Sequence, residues 1–136
     1  MLPTIVALAV GARSDGTPEQ AAALAAACAD VTRRSDVLHK AAAAWGNLVY
    51  QSVKPDAVDM QTALQETAKK LGFRKPNGNG ADELTACYLD SSMPALLDSI
   101  ARNNPHRKTW NALLSNANTG GENVHRGSCL GAVLGS

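Results

Sequence analysis

Alanine constrains this chain more than any other residue. It recurs in runs, at Ala21-Ala22-Ala23, Ala25-Ala26-Ala27 and Ala41-Ala42-Ala43-Ala44. It supplies much of an apolar share of 45%, while aromatic residues make up only 4%. Alanine surrenders no side-chain entropy in a helix. Sheets, in contrast, are built from β-branched and aromatic residues. A chain of this kind packs helices closely against one another, and the expected fold is all-α, a compact multi-helix bundle. Its 136 residues suffice for one domain, and no stretch separates two complete cores, so residues 1–136 are read as a single all-helical domain.

Helix signals recur along the chain. Pro3 to Ala12 is almost wholly apolar and predicts a short buried helix. Thr17-Pro18-Glu19-Gln20 offers an N-cap, a proline at the first helical position and a capping-box glutamine. The helix after it is expected to bury Leu24, Cys28 and Val31, spaced four and three apart. Ser35 or Asp36 caps the next, with Leu38, Ala41, Trp45, Leu48, Val49 and Ser52 inward. Lys54-Pro55-Asp56 breaks it, and Asp56 is read as the start of a helix burying Met60, Leu64, Ala68 and Leu71. Residues 72–80 form the clearest loop. A longer helix is expected from Asp82, kinked at Pro94 and ended by Asn103-Asn104-Pro105. Another follows from His106 to Asn116, with Trp110, Leu113, Leu114 and Ala117 on one face. In the last helix Gly127, Gly131 and Gly135 fall every four residues. Three glycines on one face suggest that a second backbone approaches there, placing this helix near the centre of the fold.

Several function classes are disfavoured. Thirteen basic against twelve acidic residues leave a net charge of +1, so no general attraction to nucleic acid or anionic membranes is expected. The apolar run at the N-terminus lacks a basic region before it and falls short of the ~20 residues of a membrane span. The cysteines Cys28, Cys87 and Cys129 are odd in number and show no metal-ligand spacing. Reduced thiols in a cytoplasmic compartment fit best, and nothing resembles a Ser/His/Asp or Cys/His catalytic set.

Gly120-Gly121-Glu122-Asn123-Val124-His125-Arg126-Gly127, followed by Gly131-Ala132-Val133-Leu134-Gly135, resembles the C-terminal signature of the ADP-ribosylglycohydrolases. That signature has two glycines, Asp-x-Asp-Ser/Thr and then an alanine- and glycine-rich helix. A branch with a Gly-Gly-(Asp/Glu)-Asn-x-His-Arg-Gly form is closer still. The stretch from Ala86 to Leu97 is similar to the segment that precedes the signature in that branch, and Leu2 to Ala9 resembles a mid-domain helix of the family. The resemblance runs along most of the chain, which corresponds to well under half of a typical family domain.

The resemblance implies hydrolysis of an N- or O-glycosidic bond to ADP-ribose, with two magnesium ions holding the ribose hydroxyls. Mg²⁺ takes hard oxygen ligands, and a metal pair can orient the sugar and activate water. What it implies for residues is Glu122 and His125 at the metal and Gly120, Gly121 and Asn123 lining the sugar-phosphate. Tyr88, within a polar patch with Asp90, Ser91 and Ser92, is the further ligand-wall candidate. The chain also departs from the pattern. Val124 stands at the second aspartate position and His125 at the hydroxyl position, and the acidic residues form no Thr-Asp-Asp-like cluster. Glu122 equally suits a helix N-terminus as a dipole acid. His125 and Arg126 equally suit a surface pair or donors to the carbonyls of the preceding turn, and the glycines a turn needing positive φ. Three readings therefore stand: a hydrolase module incomplete as a catalyst alone, a non-catalytic ADP-ribose-binding remnant, and a helical interaction module. In the last, exposed apolar patches would be covered by a second copy or a complementing chain.

Overall fold

The computed structural model describes residues 2–54, 56, 58–79, 88–104, 108–121 and 123–136. Among them are seven α-helices and no strand. These are α1 (Leu2–Gly11), α2 (Pro18–Thr32), α3 (Asp36–Val53), α4 (Met60–Leu71), α5 (Leu89–Asn103), α6 (Thr109–Thr119) and α7 (Asn123–Leu134). The all-α bundle expected from the sequence is the fold the chain adopts.

Local chemistry sets most helix ends. The Thr17 hydroxyl accepts from the Gln20 N–H at 3.2 Å while the Gln20 side chain accepts from the Thr17 N–H at 3.3 Å, and Pro18 opens α2. Ser35 caps α3. The start of α4 lies later than expected: the cap is Asp59, which accepts from the Thr62 N–H, not Asp56. Gly72 ends α4 in the left-handed conformation at φ 74, with Lys69 and Lys70 in the last turn. Tyr88 is extended, so α5 begins at Leu89, and the expected helical residues 82–87 lie outside the described residues. So do Pro105, His106 and Arg107 before α6.

The longest helix, α3, packs against α1, α2, α4 and α7. The apolar core joins its Trp45, Leu48 and Val49 to Leu64 of α4, Leu97 and Ile100 of α5 and Leu130 of α7. Trp45 donates its indole N–H to the Thr4 hydroxyl at 2.9 Å, tying α1 to α3 through a buried bond. The loop after α4 is held by Asp98, 2% exposed, which pairs with Arg74 and accepts from the N–H groups of Asn77 and Gly78. Gly78, at φ 78, has Arg102 Cα 3.1 Å from where its Cβ would stand, so the loop lies directly on α5.

Three burial expectations fail, in α2 and α6 for a packing reason. In α2 the buried residues are Ala21, Ala25, Ala26 and Ala29, while Leu24 and Val31 are 47% and 83% exposed. The helix carries two apolar stripes, and only the alanine one can meet α3. A Cβ on Gly46 would lie 2.5 Å from the Ala25 Cβ and 2.7 Å from the Ala21 carbonyl oxygen, so the backbones are nearly in contact. In α6 the buried residues are Ala112 and Asn116, and Trp110, expected in the core, is 69% exposed. Thr109 donates its hydroxyl to the Leu134 carbonyl and Asn116 bonds Asn123, and these contacts turn the Asn116 side of α6 inward. In α1 the buried positions are Thr4, Ala7, Val10 and Gly11, while Leu2 and Ile5 remain over half exposed.

The glycine-mediated backbone approach expected on α7 occurs on α3 instead. A Cβ at Gly131 would meet only the end of Leu113 at 4.0 Å, and Gly135 lies past the end of α7.

Gly46→Ala is expected to destabilise the protein. Both groups in its way belong to the α2 backbone or its first carbon and cannot rotate aside, so overpacking of ~1–3 kcal/mol outweighs the ~1 kcal/mol helix-propensity gain. Urea unfolding should show a lower midpoint at an unchanged slope; an unchanged or raised midpoint would refute the close approach of α2 and α3.

Candidate functional site

Helices α6 and α7 meet at a tight turn through Gly120 and Gly121, whose φ angles are 78 and 64. Gly120 has ψ −154, a conformation essentially confined to glycine. Nothing would obstruct a Cβ there, so the backbone angle alone demands the residue. Asn123 is the first residue of α7. Its carbonyl accepts from the Asn116 amide at 2.7 Å, while Arg126 donates to the Asn116 side-chain oxygen and to the Gly120 carbonyl at 2.9 Å. Asn116 and Arg126 are buried, at 6% and 7% exposure. Asn116, expected at the end of its helix, lies inside α6, which runs on to Thr119, and serves the turn from below.

Beside this turn a cleft of about 580 Å³ opens between α1, α2, α3, α5 and α7. Its walls are mostly apolar, with Leu38, Trp45, Leu89, Met93 and Leu96. Thr4, Ser92, His125, Arg126 and Cys129 supply polar atoms. Volume and lining suit a small-molecule site, where a few polar groups orient a mainly apolar contact. Burial pushes the Cys129 thiol above its usual range, and it holds the proton at neutral pH.

The sequence-derived candidates divide on this geometry. His125 reaches the cleft wall, while Gly120, Gly121 and Asn123 do not line the cleft and are joined to it through Arg126, which lines it and bonds the Gly120 carbonyl. Tyr88 is 76% exposed and precedes Leu89 of the wall without itself lining the cleft. Glu122 lies outside the described residues. Val124 is 74% exposed. Sequence reasoning missed the cleft, because its walls come from five helices. Of the two roles offered for Arg126, the donor to carbonyls of the preceding turn is near what is found, at the Gly120 carbonyl; the packing role of Gly127 was missed, where a Cβ would stand 2.9 Å from the Asn116 amide nitrogen.

The family model for ADP-ribosylglycohydrolase matches residues 1–136. The chain belongs to that family. No curated protein and no solved structure matches it. ADP-ribosylglycohydrolases are metal-dependent and act on ADP-ribosylated substrates. The residues described do not make up a metal centre: no group of three His, Cys, Asp or Glu side chains that could hold an ion occurs among them. An isopropyl group at Val124 offers no lone pair, and imidazole at His125 suits zinc, copper or nickel better than magnesium. No catalytic step can be routed through an ion from these residues. Nor is any helix among them long and apolar enough to cross a membrane.

A ligand that fills the cleft should shield Cys129. In a variant keeping only that cysteine, alkylation by iodoacetamide should be slow at neutral pH. It should accelerate only as pH rises past the ordinary thiol range, because burial opposes the thiolate. Rapid labelling at pH 7, read by intact-mass spectrometry, would contradict the buried setting.

Proposed function

We propose that this chain is an ADP-ribosylglycohydrolase-like hydrolase module that binds ADP-ribose and is incomplete as a catalyst alone. The observation that carries the reading is the Gly120–Gly121 turn, with Gly120 in a glycine-only conformation, joined through Arg126 to a cleft of ligand size. Gly120, Gly121 and Asn123 line the sugar-phosphate, with main-chain groups at the head of α7 facing negative charge. Glu122 and His125 are the metal-side residues, and Tyr88 contacts the ligand from the start of α5. Magnesium is the proposed ion, on the chemistry of sugar hydroxyls and carboxylate oxygen, with the remaining ligands supplied by another chain or by further sequence. The bond cleaved is an N- or O-glycosidic bond to ADP-ribose. Cys28 and Cys129 are free thiols, which supports a reducing, cytoplasmic setting.

A second reading, a non-catalytic ADP-ribose-binding remnant, is favoured by Val124 at a ligand position. Exposed Leu2, Ile5, Leu24, Val31 and Trp110 support a homo-oligomer or a complementing chain in either case.

A thermal melt with and without ADP-ribose, each in Mg²⁺ or EDTA, tests the proposal. Ligand at a hundred times its dissociation constant adds ~2.7 kcal/mol, or several degrees for a domain of this size. A shift needing both ligand and Mg²⁺ supports the hydrolase module. A shift that ignores EDTA supports the remnant. A cooperative melt with no shift sinks both.

A further inference from the structure

Two polar side chains lie buried beneath the signature turn, and their bonds meet the main chain on both sides of it. Arg126 reaches the Gly120 carbonyl upstream at 2.9 Å. Asn116 reaches the Asn123 carbonyl downstream at 2.7 Å. The two are joined to each other, Arg126 Nε donating to Asn116 Oδ1. Asn116 is thereby used at both ends of its amide, one accepting and one donating. Gly127 leaves the room this needs, since a Cβ there would stand 2.9 Å from Asn116 Nδ2.

A guanidinium is costly to bury, and an apolar pair of similar volume commonly packs a helix interface at least as well. An apolar pair cannot fix the positions of two main-chain carbonyls. We propose that Asn116 and Arg126 are positioning residues, a buried clasp that presets the main chain at Gly120 and at Asn123 for a ligand. The ligand part of this inference rests on the reading that the turn contacts ADP-ribose. The presetting of the turn does not. The clasp also couples the turn to the cleft, because Arg126 forms part of the cleft wall.

The test pairs two measurements on the full chain: amide hydrogen exchange and the dissociation constant for ADP-ribose. Asn116→Leu with Arg126→Met replaces the clasp by apolar volume. That double variant should melt within a few degrees of the native protein. Exchange in the first turn of α7, at the Gly127 and Ser128 N–H groups that bond back to Asn123 and Val124, should rise at least about tenfold while Leu48 and Leu97 stay protected, and ADP-ribose should bind about ten- to a hundredfold more weakly, as when supporting shells are removed from other sites. Asn116→Asp serves if the double variant does not fold. It keeps the acceptor for Arg126, puts a charged acceptor in place of the donor to the Asn123 carbonyl, and should reproduce both effects. Native-like exchange at the turn in a folded variant overturns the clasp whether or not ADP-ribose binds. Faster exchange at the turn with unchanged affinity also overturns the proposal, because a loosened turn would then bind as well as a preset one. If the native chain does not bind ADP-ribose, the functional reading fails. The exchange data still decide whether the clasp presets the turn.

Discussion

The fold depends on how closely α2 lies on α3. At Gly46 the two backbones approach until there is no room for a single added carbon beside Ala25 and Ala21. Alanine and glycine make this possible because neither loses rotamer freedom on burial, while close-packed backbones keep the dispersion contacts that larger side chains would otherwise supply. With α2 drawn in, the Trp45 indole sits beside α1, where Thr4 meets its N–H. The cleft opens where the small residues of α2 and α3, at Ala29, Ala41 and Ala42, leave the space that Leu38, Trp45 and Met93 only partly fill.

Buried polar groups do a second job in this bundle. An apolar core fixes helices but leaves the segments between them to their own preferences. Asp98 gathers Arg74 and two main-chain N–H groups and so holds the loop after α4 on α5. Asn116 and Arg126 do the same for the turn between α6 and α7, through carbonyls instead of N–H groups. Each arrangement satisfies most of what it buries, which is the condition under which such groups do not cost the fold its stability.

How much of this was legible in the sequence varied with the kind of signal. Start and stop chemistry was readable wherever a residue acts on its own neighbours: Thr17 with Gln20, Ser35 before α3, and Gly72 after α4. Asp59 was missed because Asp56 offered the same carboxylate three residues earlier. Burial was readable in α3, where one apolar face opposes a polar one, but not in α2. There Leu24, Cys28 and Val31 make as regular a stripe as Ala21, Ala25 and Ala29, and the larger residues look the better core. The turn glycines, Asn123 and His125 stood out by resemblance. The clasp and the cleft did not, because Asn116 stood only as the end of a helix and no periodicity marks walls shared by five helices.

The sequence by itself determined the all-helical class, most helix boundaries and the family, since each rests on interactions within a few residues or on a contiguous string. Packing between helices selected which of two apolar stripes faces inward, which side of α6 is buried, and where Gly127 makes room beneath the turn. Those outcomes depend on distances between segments far apart in the chain. At Gly46 the distance is set by the absence of a single methyl group, and a rule of spacing along one helix contains no information about the backbone that will lie against it.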